Sequence, residues 1–262
     1  MKAFRQALTV LGPALVLIAG WKWGLRTGWI DPVLLPQPDR IGRRVLALAL
    51  GGDQFYRHAA ATLRLAGGGL LLGLVAGVPL GAWMGISPRS DRALLPYVEF
   101  TRALPAAALI PITMVLFSRD VGRILVVAVP SALVLVVSCR AGVRSGNRMH
   151  WDLARLYGLS RATLFRRALI WDMLPSALAG LRLALSLGLV VATVVEMLLG
   201  AEFGLGDLLL SSQPLDKPTM YAVTVLLGGI GYGLNAFAIA LERRGIAFVQ
   251  FGEWRSQPPK PT

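Results

Sequence analysis

"LAGGGLLLGLVAGVPLGAWMGI" occupies residues 65–86, twenty-two residues without a charge. As an α-helix it is about 33 Å long, enough to cross a hydrocarbon core of about 30 Å. Five more stretches read the same way. Gln6–Trp21, Ile124–Cys139 and Pro218–Leu241 carry no charge. Ala93–Ser118 holds only Glu99 and Arg102, and Met173–Val195 holds only Arg182. The chain of 262 residues is 55% hydrophobic and 16% charged, against about 25% charged for a soluble domain. The expectation is an all-α polytopic membrane protein with about six transmembrane helices.

Charge supplies the orientation. With the amino end inside, the inner segments hold 15 Lys and Arg and the outer segments 9. The cytoplasmic side collects basic residues, so the balance favours both termini inside. The outer loop 22–58 fits this poorly, since six of its residues are basic. An amphipathic helix lying along the surface after Pro36 and Pro38 would accommodate them. Trp21, Trp23 and Trp29 suit an interfacial aromatic belt, and Trp21-Lys22-Trp23 is no signal-peptidase site, so the first span is expected to be an uncleaved anchor. Arg123 and Arg140 flank the fourth span and are expected to snorkel.

Within the opening stretch Gly69, Gly73, Gly77, Gly81 and Gly85 recur every fourth residue. On a helix they form a ridge without side chains, where another helix can approach closely. That neighbour could lie in the same subunit or across a dimer or sliding interface. Pro105 and Pro111 bracket "PAAALIP" and point to an irregular third span.

Several functions drop out. The two histidines, His58 and His150, lack ligand spacing, so no metal site is expected. Cys139 is the only cysteine, which excludes an internal disulfide. No phosphate-binding GxxxxGK[ST] loop occurs, and no nucleophile–base constellation is evident. The net charge of +13 lies between apolar spans, which fits a membrane better than nucleic acid.

The longest polar interruption runs from Arg140 to Asp172, with seven arginines and two aspartates. It reads as two short helices, about 150–157 and 161–169. Gly158 stops the first and Ser160 caps the second. A folded basic hairpin on a protein without its own ATP motif reads as a docking surface for a motor.

Here the sequence resembles a known family. Asp152-Leu153-Ala154, then Gly158, then Leu174-Pro175 resemble the EAA loop of ABC-importer permeases, with Asp for Glu and Leu153 for Ala. "LPQPDRI" (35–41), "HAAATLRLAGGGLLLGLVAGVPLGAWMG" (58–85), "TRALPAAALIPI" (101–112), "GLRLALSLGLVVATVVEML" (180–198) and "GLGDLL" (204–209) resemble further blocks of the nitrate, taurine and aliphatic sulfonate branch. The likeness spans about 30–250. "LFSRDVGR" at 116–123 departs from the branch: Arg119 and Asp120 put charges where it has a mostly apolar turn.

The resemblance implies a homodimeric permease of the bacterial inner membrane, importing a small solute, an anion such as a sulfonate, taurine or nitrate, by alternating access. It implies two cytoplasmic ATPase subunits that hold ATP and magnesium, and an extracytoplasmic solute-binding protein. This chain would bind no cofactor and would not be an enzyme. Asp152, Ala154, Arg155, Gly158, Ser160, Leu174 and Pro175 would couple to the ATPase. The implied organisation is an anchor helix and outer loop (1–57), a permease core (58–245, with the EAA-type loop at 140–175) and a cytoplasmic tail (246–262), whose "SQPPKPT" end is expected to be disordered.

Ionisable residues inside spans are functional candidates. Glu99 and Arg102, at i, i+3, suit a pair. Arg182 and Glu196 lie about 21 Å apart along one helix, on one face and out of contact. All four are candidates for the translocation path or gate. Structural roles compete: Arg182 snorkelling or pairing with a loop, and Glu196 capping the turn at 204–206. Against the ATP-driven importer stand an autonomous secondary carrier or channel, which would need polar groups deep in several spans, and a membrane enzyme or scaffold.

Overall fold

The computed structural model describes residues 2–51, 53–146, 152, 156–158, 163 and 169–254. The regular structure of these residues is all helical, without a strand. The helices are α1 (Lys2–Arg26), α2 (Pro38–Leu50), α3 (Asp53–Ile86), α4 (Pro88–Ala103), a 3-10 turn (Ala106–Ala108), α5 (Leu109–Leu116), α6 (Arg119–Ser145), α7 (Ile170–Leu199), α8 (Leu205–Leu215) and α9 (Lys217–Trp254). Four stretches are long and apolar enough to cross a membrane: Gln54–Ile86, Arg119–Ser145, Ile170–Leu199 and Lys217–Arg244. The pair Pro88–Ala103 and Ala106–Leu116 makes a fifth if its halves count as one broken span. The first expected span, Gln6–Trp21, lies within α1.

The break has a local cause. Pro105 cannot donate to the helix ladder and pushes Leu104 into extended backbone, at φ −75° and ψ 131°. The chain turns through 93° before α5 resumes. The irregular third span expected from Pro105 and Pro111 is therefore present.

The glycine ridge faces α6 of the same chain. A Cβ on Gly77 would lie 2.5 Å from the Ala132 carbonyl oxygen, and one on Gly73 would lie 3.0 Å from the Ala132 amide nitrogen. At Gly69, Gly81 and Gly85 an added Cβ would strike Val127, Val136 and Val143. Bilayer helices gain little from hydrophobic exclusion and associate through close packing, which a bare backbone maximises. α7 completes the core: Val126, Val127 and Leu135 of α6 and Ala184, Ala192 and Val195 of α7 are fully buried.

A helix follows Pro36 and Pro38 as expected: it is α2, with Pro38 in its first turn. Arg44 of α2 reaches Asp216, at 3.0 Å, and Thr219 at the start of α9. Several helices run across the expected boundaries. α3 begins at Asp53, ahead of 58, and α9 runs past 246 to Trp254. α6 continues to Ser145 and α7 starts at Ile170, so Arg140 and Asp172 belong to helices rather than to a loop. The two hairpin helices fall largely outside the described residues, as does the 256–262 tail.

Candidate functional site

Three polar clusters interrupt the apolar bundle. The first lies where α3 begins and α7 ends. Glu196 is only 2% exposed. Its Oε2 accepts the Thr62 hydroxyl at 2.8 Å and the Gly206 amide at 3.0 Å. Thr62 also accepts the Leu205 amide at 2.8 Å. The Gly204 amide donates to His58 Nδ1 at 3.0 Å. Side chains from α3 and α7 thus satisfy the first amides of α8, which a helix start otherwise leaves unpaired. The structural reading of Glu196 as a cap on the 204–206 turn describes this geometry. Position, not sequence pattern, brings in His58 and Thr62: they lie one helical turn apart on the α3 face that meets the turn.

The second cluster lies at the opposite end. Asp91, in the first turn of α4, is buried and meets two arginines of α6. Arg140 donates through Nε and Nη2 to both carboxylate oxygens, the latter at 3.0 Å, and Arg144 Nη2 lies 2.7 Å from Oδ2. Arg140 therefore does not snorkel; it neutralises a buried acid. Arg123 does not snorkel either, since it donates to the Gly200 carbonyl, as Arg119 does at 3.1 Å. Arg119 thus holds the end of α7 rather than pairing with Asp120. Beyond Arg144, a Cβ on Gly146 would touch the Asp172 carboxylate, so the chain leaves α6 and re-enters at α7 through a narrow neck.

The third cluster sits at the break. Arg102 Nη1 lies 3.1 Å from both oxygens of Glu99, an exposed i, i+3 pair. Beside it is a cavity of about 250 Å³, lined by Thr101, Arg102, Leu104, Ala106, Leu109 and residues of α6 and α7. Arg182 is elsewhere, 3.4 Å from Glu242 of α9. The four ionisable candidates therefore occupy three separate places.

Of the residues expected to couple to the ATPase, Asp152 and Gly158 are described, and Leu174 and Pro175 lie inside α7. Ala154, Arg155 and Ser160 lie outside the described residues. Asp152 is helical and exposed. Gly158 has φ +62°, the left-handed conformation expected of a residue that ends a helix, and an added Cβ would meet nothing there. Among the described residues no group of three His, Cys, Asp or Glu could hold a metal.

Comparison with known proteins places this architecture. Residues 69–244 match the model of the family described as binding-protein-dependent transport system inner membrane component. A probable ABC transporter permease protein of Brucella melitensis is 33% identical over 87% of this chain and 91% of its own length. The formylaminopyrimidine transport permease of Halalkalibacterium halodurans is 32% identical over 88% and 93%. The taurine transport system permease of Escherichia coli is 29% identical over 92% and 88%. In fold, the chain is similar to a chain of the inward-facing MetNI methionine ABC transporter, with a TM-score of 0.66 and 19% identity over 73% of this chain and 96% of that one. A bundle of apolar helices with one broken span, matched in family over two thirds of its length, belongs to the binding-protein-dependent transport system inner membrane components: the chain is a multi-pass permease subunit of an ABC importer, a transporter component rather than an enzyme.

Proposed function

We propose that this permease moves a small anion, of the sulfonate, taurine or nitrate kind, into the cytoplasm by alternating access. Both termini are cytoplasmic. Two ATPase subunits carry ATP and magnesium and dock on the 146–169 segment, and an extracytoplasmic binding protein delivers the solute. Two copies of the chain form the permease of the bacterial inner membrane.

The observation that carries the coupling is the Asp91 cluster. Arg140 and Arg144 stand in the last turns of α6, immediately before the docking segment. Their carboxylate partner starts α4, which ends at the break beside Glu99, Arg102 and the cavity. A push on the segment is thereby delivered to a span that bends by 93° at its break and can absorb it. Asp152, Ala154, Arg155, Gly158 and Ser160 form the docking helix and its turn; Leu174 and Pro175 set where α7 begins to carry the motion. Glu99 and Arg102 open or close the path.

The solute class rests on the relative named for taurine and on the arginines inside spans. The autonomous-carrier reading is disfavoured, because the buried ionisable groups are engaged in helix ends and ion pairs. The test is affinity capture of the tagged chain in mild detergent, followed by identification of what accompanies it. A co-purifying ATPase with a P-loop, and ATP-dependent uptake by the reconstituted complex, are expected. Solute flux through the purified chain alone would overturn the proposal.

A further inference from the structure

A larger cavity, about 740 Å³ and open to the surface, lies at the end of the bundle opposite Ser145 and Ile170, where α6 ends and α7 begins. Arg57 and Arg64 border it, with Ala60 and Ala61 between them and Tyr56 and Phe203 as walls. The arginines are seven residues apart on α3, about 10 Å along its axis and nearly on one face. The two alanines leave a floor of methyl groups between the guanidinium forks. Arg57 Cζ stands 4.8 Å over the Phe203 ring, which in turn meets His58 edge-on at 5.5 Å. The ring thus positions one fork.

Neither arginine has an acidic partner among the described residues, unlike Arg44, Arg102, Arg140, Arg144 and Arg182. Arg64 stands about 16 Å along α3, inside the span Gln54–Ile86. A guanidinium against hydrocarbon there is costly, and such residues normally face a wet cavity. Arg64 borders two: this one, and an adjoining space of about 220 Å³ that also touches Arg123, Asp120 and Glu196. Both acids lie on the smaller space, and Glu196 already accepts Thr62 and Gly206. The larger cavity has cations and no acid in its lining.

We propose that the Arg57–Arg64 cavity is an oxyanion site, the entry station for the acidic head of the transported solute. Paired guanidinium forks match the oxygens of a sulfonate, carboxylate or phosphate, and the Ala60–Ala61 floor accepts a short apolar body. Its place on the delivery side rests on the permease reading, in which the 146–169 segment faces the ATPase.

The test uses the full chain in phosphatidylcholine nanodiscs and trifluoromethanesulfonate as probe, read by fluorine NMR line broadening. Saturable broadening is expected. R57Q/R64Q should weaken it at least tenfold, and so should A60L, which keeps both charges and fills the floor; R243Q, on α9, should not. Broadening absent from the wild-type chain, or unchanged in both site variants, would overturn the site. Adding phosphatidylglycerol separates the two sources of an oxyanion. Unchanged broadening supports a site for free solute. Its suppression at low lipid fraction would assign the cavity to a lipid phosphate and overturn the solute assignment. The assay needs no ATPase, so its failure alongside intact ATPase co-purification removes the entry station and leaves the permease reading standing.

Discussion

The Thr62 hydroxyl donates to Glu196 Oε2 at 2.8 Å across 134 residues of chain, and its oxygen accepts the Leu205 amide at the same distance. One side chain on α3 thereby fastens the end of α7 to the start of α8. Replacing Glu196 with Ala strands the buried Gly206 amide and leaves the Thr62 hydroxyl only the His58 carbonyl, at 3.2 Å. The expected loss is about 1–3 kcal/mol, with Thr62→Val costing about half as much. Thermal unfolding of both variants and the double mutant in detergent checks this. Additive losses would show that the two side chains act independently.

At the glycine ridge the expected cost is steric. Gly77→Ala places a methyl 2.5 Å from the Ala132 carbonyl oxygen, and α3 and α6 must separate to admit it. Overpacking of this kind costs about 1–3 kcal/mol. Gly67→Ala on the same helix meets nothing within 4 Å and serves as the control. Fluorescence-detected size-exclusion after heating should separate the two variants by several degrees.

Asp91→Asn removes the charge that two arginines share. A fully buried pair costs about 3–5 kcal/mol to break; about 2 kcal/mol is expected here because Arg144 is 41% exposed on its side chain. If the cluster transmits motion, the reconstituted complex should also hydrolyse ATP without matching uptake. Wild-type coupling in a stable Asp91→Asn variant would remove the cluster from the transmission route.

The docking segment has its own test. Proline requires φ near −65°, whereas Gly158 sits at +62°, so Gly158→Pro rebuilds the turn. Asp152→Arg reverses an exposed charge on the preceding helix. Both variants should insert and reach wild-type abundance while uptake falls at least tenfold at near-normal ATP hydrolysis. Normal uptake in both would sink the coupling assignment.

Acidity should release α2. Burial pushes the Asp216 carboxyl up, but hydrogen bonds from the Thr219 side chain and amide and the Arg44 guanidinium outweigh it and hold the group below the usual carboxylate value. A depressed carboxyl stabilises the fold above its unfolded value, and that contribution is lost as pH falls through the folded one. Hydrogen exchange in α2 should therefore rise only at pH below the ordinary carboxylate range. Asp216→Asn should exchange quickly at neutral pH and show little further change.

Much of the fold was legible because its signals are periodic. Uncharged runs, the four-residue glycine spacing and the Pro105–Pro111 bracket each act through local geometry that one stretch of chain contains. The helix after Pro36 and the turn at Gly158 were legible for the same reason. The clusters were less so. Arg140 beside an apolar run looks like a snorkelling residue until α4 returns with Asp91, 49 residues earlier in the chain. His58 and Thr62 carry no pattern; their role arises only when the 204–206 turn folds against them. Arg182 finds Glu242 across 60 residues. A charge's neighbour in a bundle is set by packing, and packing is not written at any fixed spacing.

The ridge also constrains how the protein is made. α3 emerges from the ribosome before α4 and α5, yet the residues that cover its glycines, Val127 to Val143, come last among these helices. A nascent chain halted anywhere before α6 displays a strip of bare backbone to the lipid, with no side chain of its own to cover it. Completion of α6 supplies the backbone and side chains that cover that strip, so the α3–α6 seam is a contact that only a chain extended to Val143 can make.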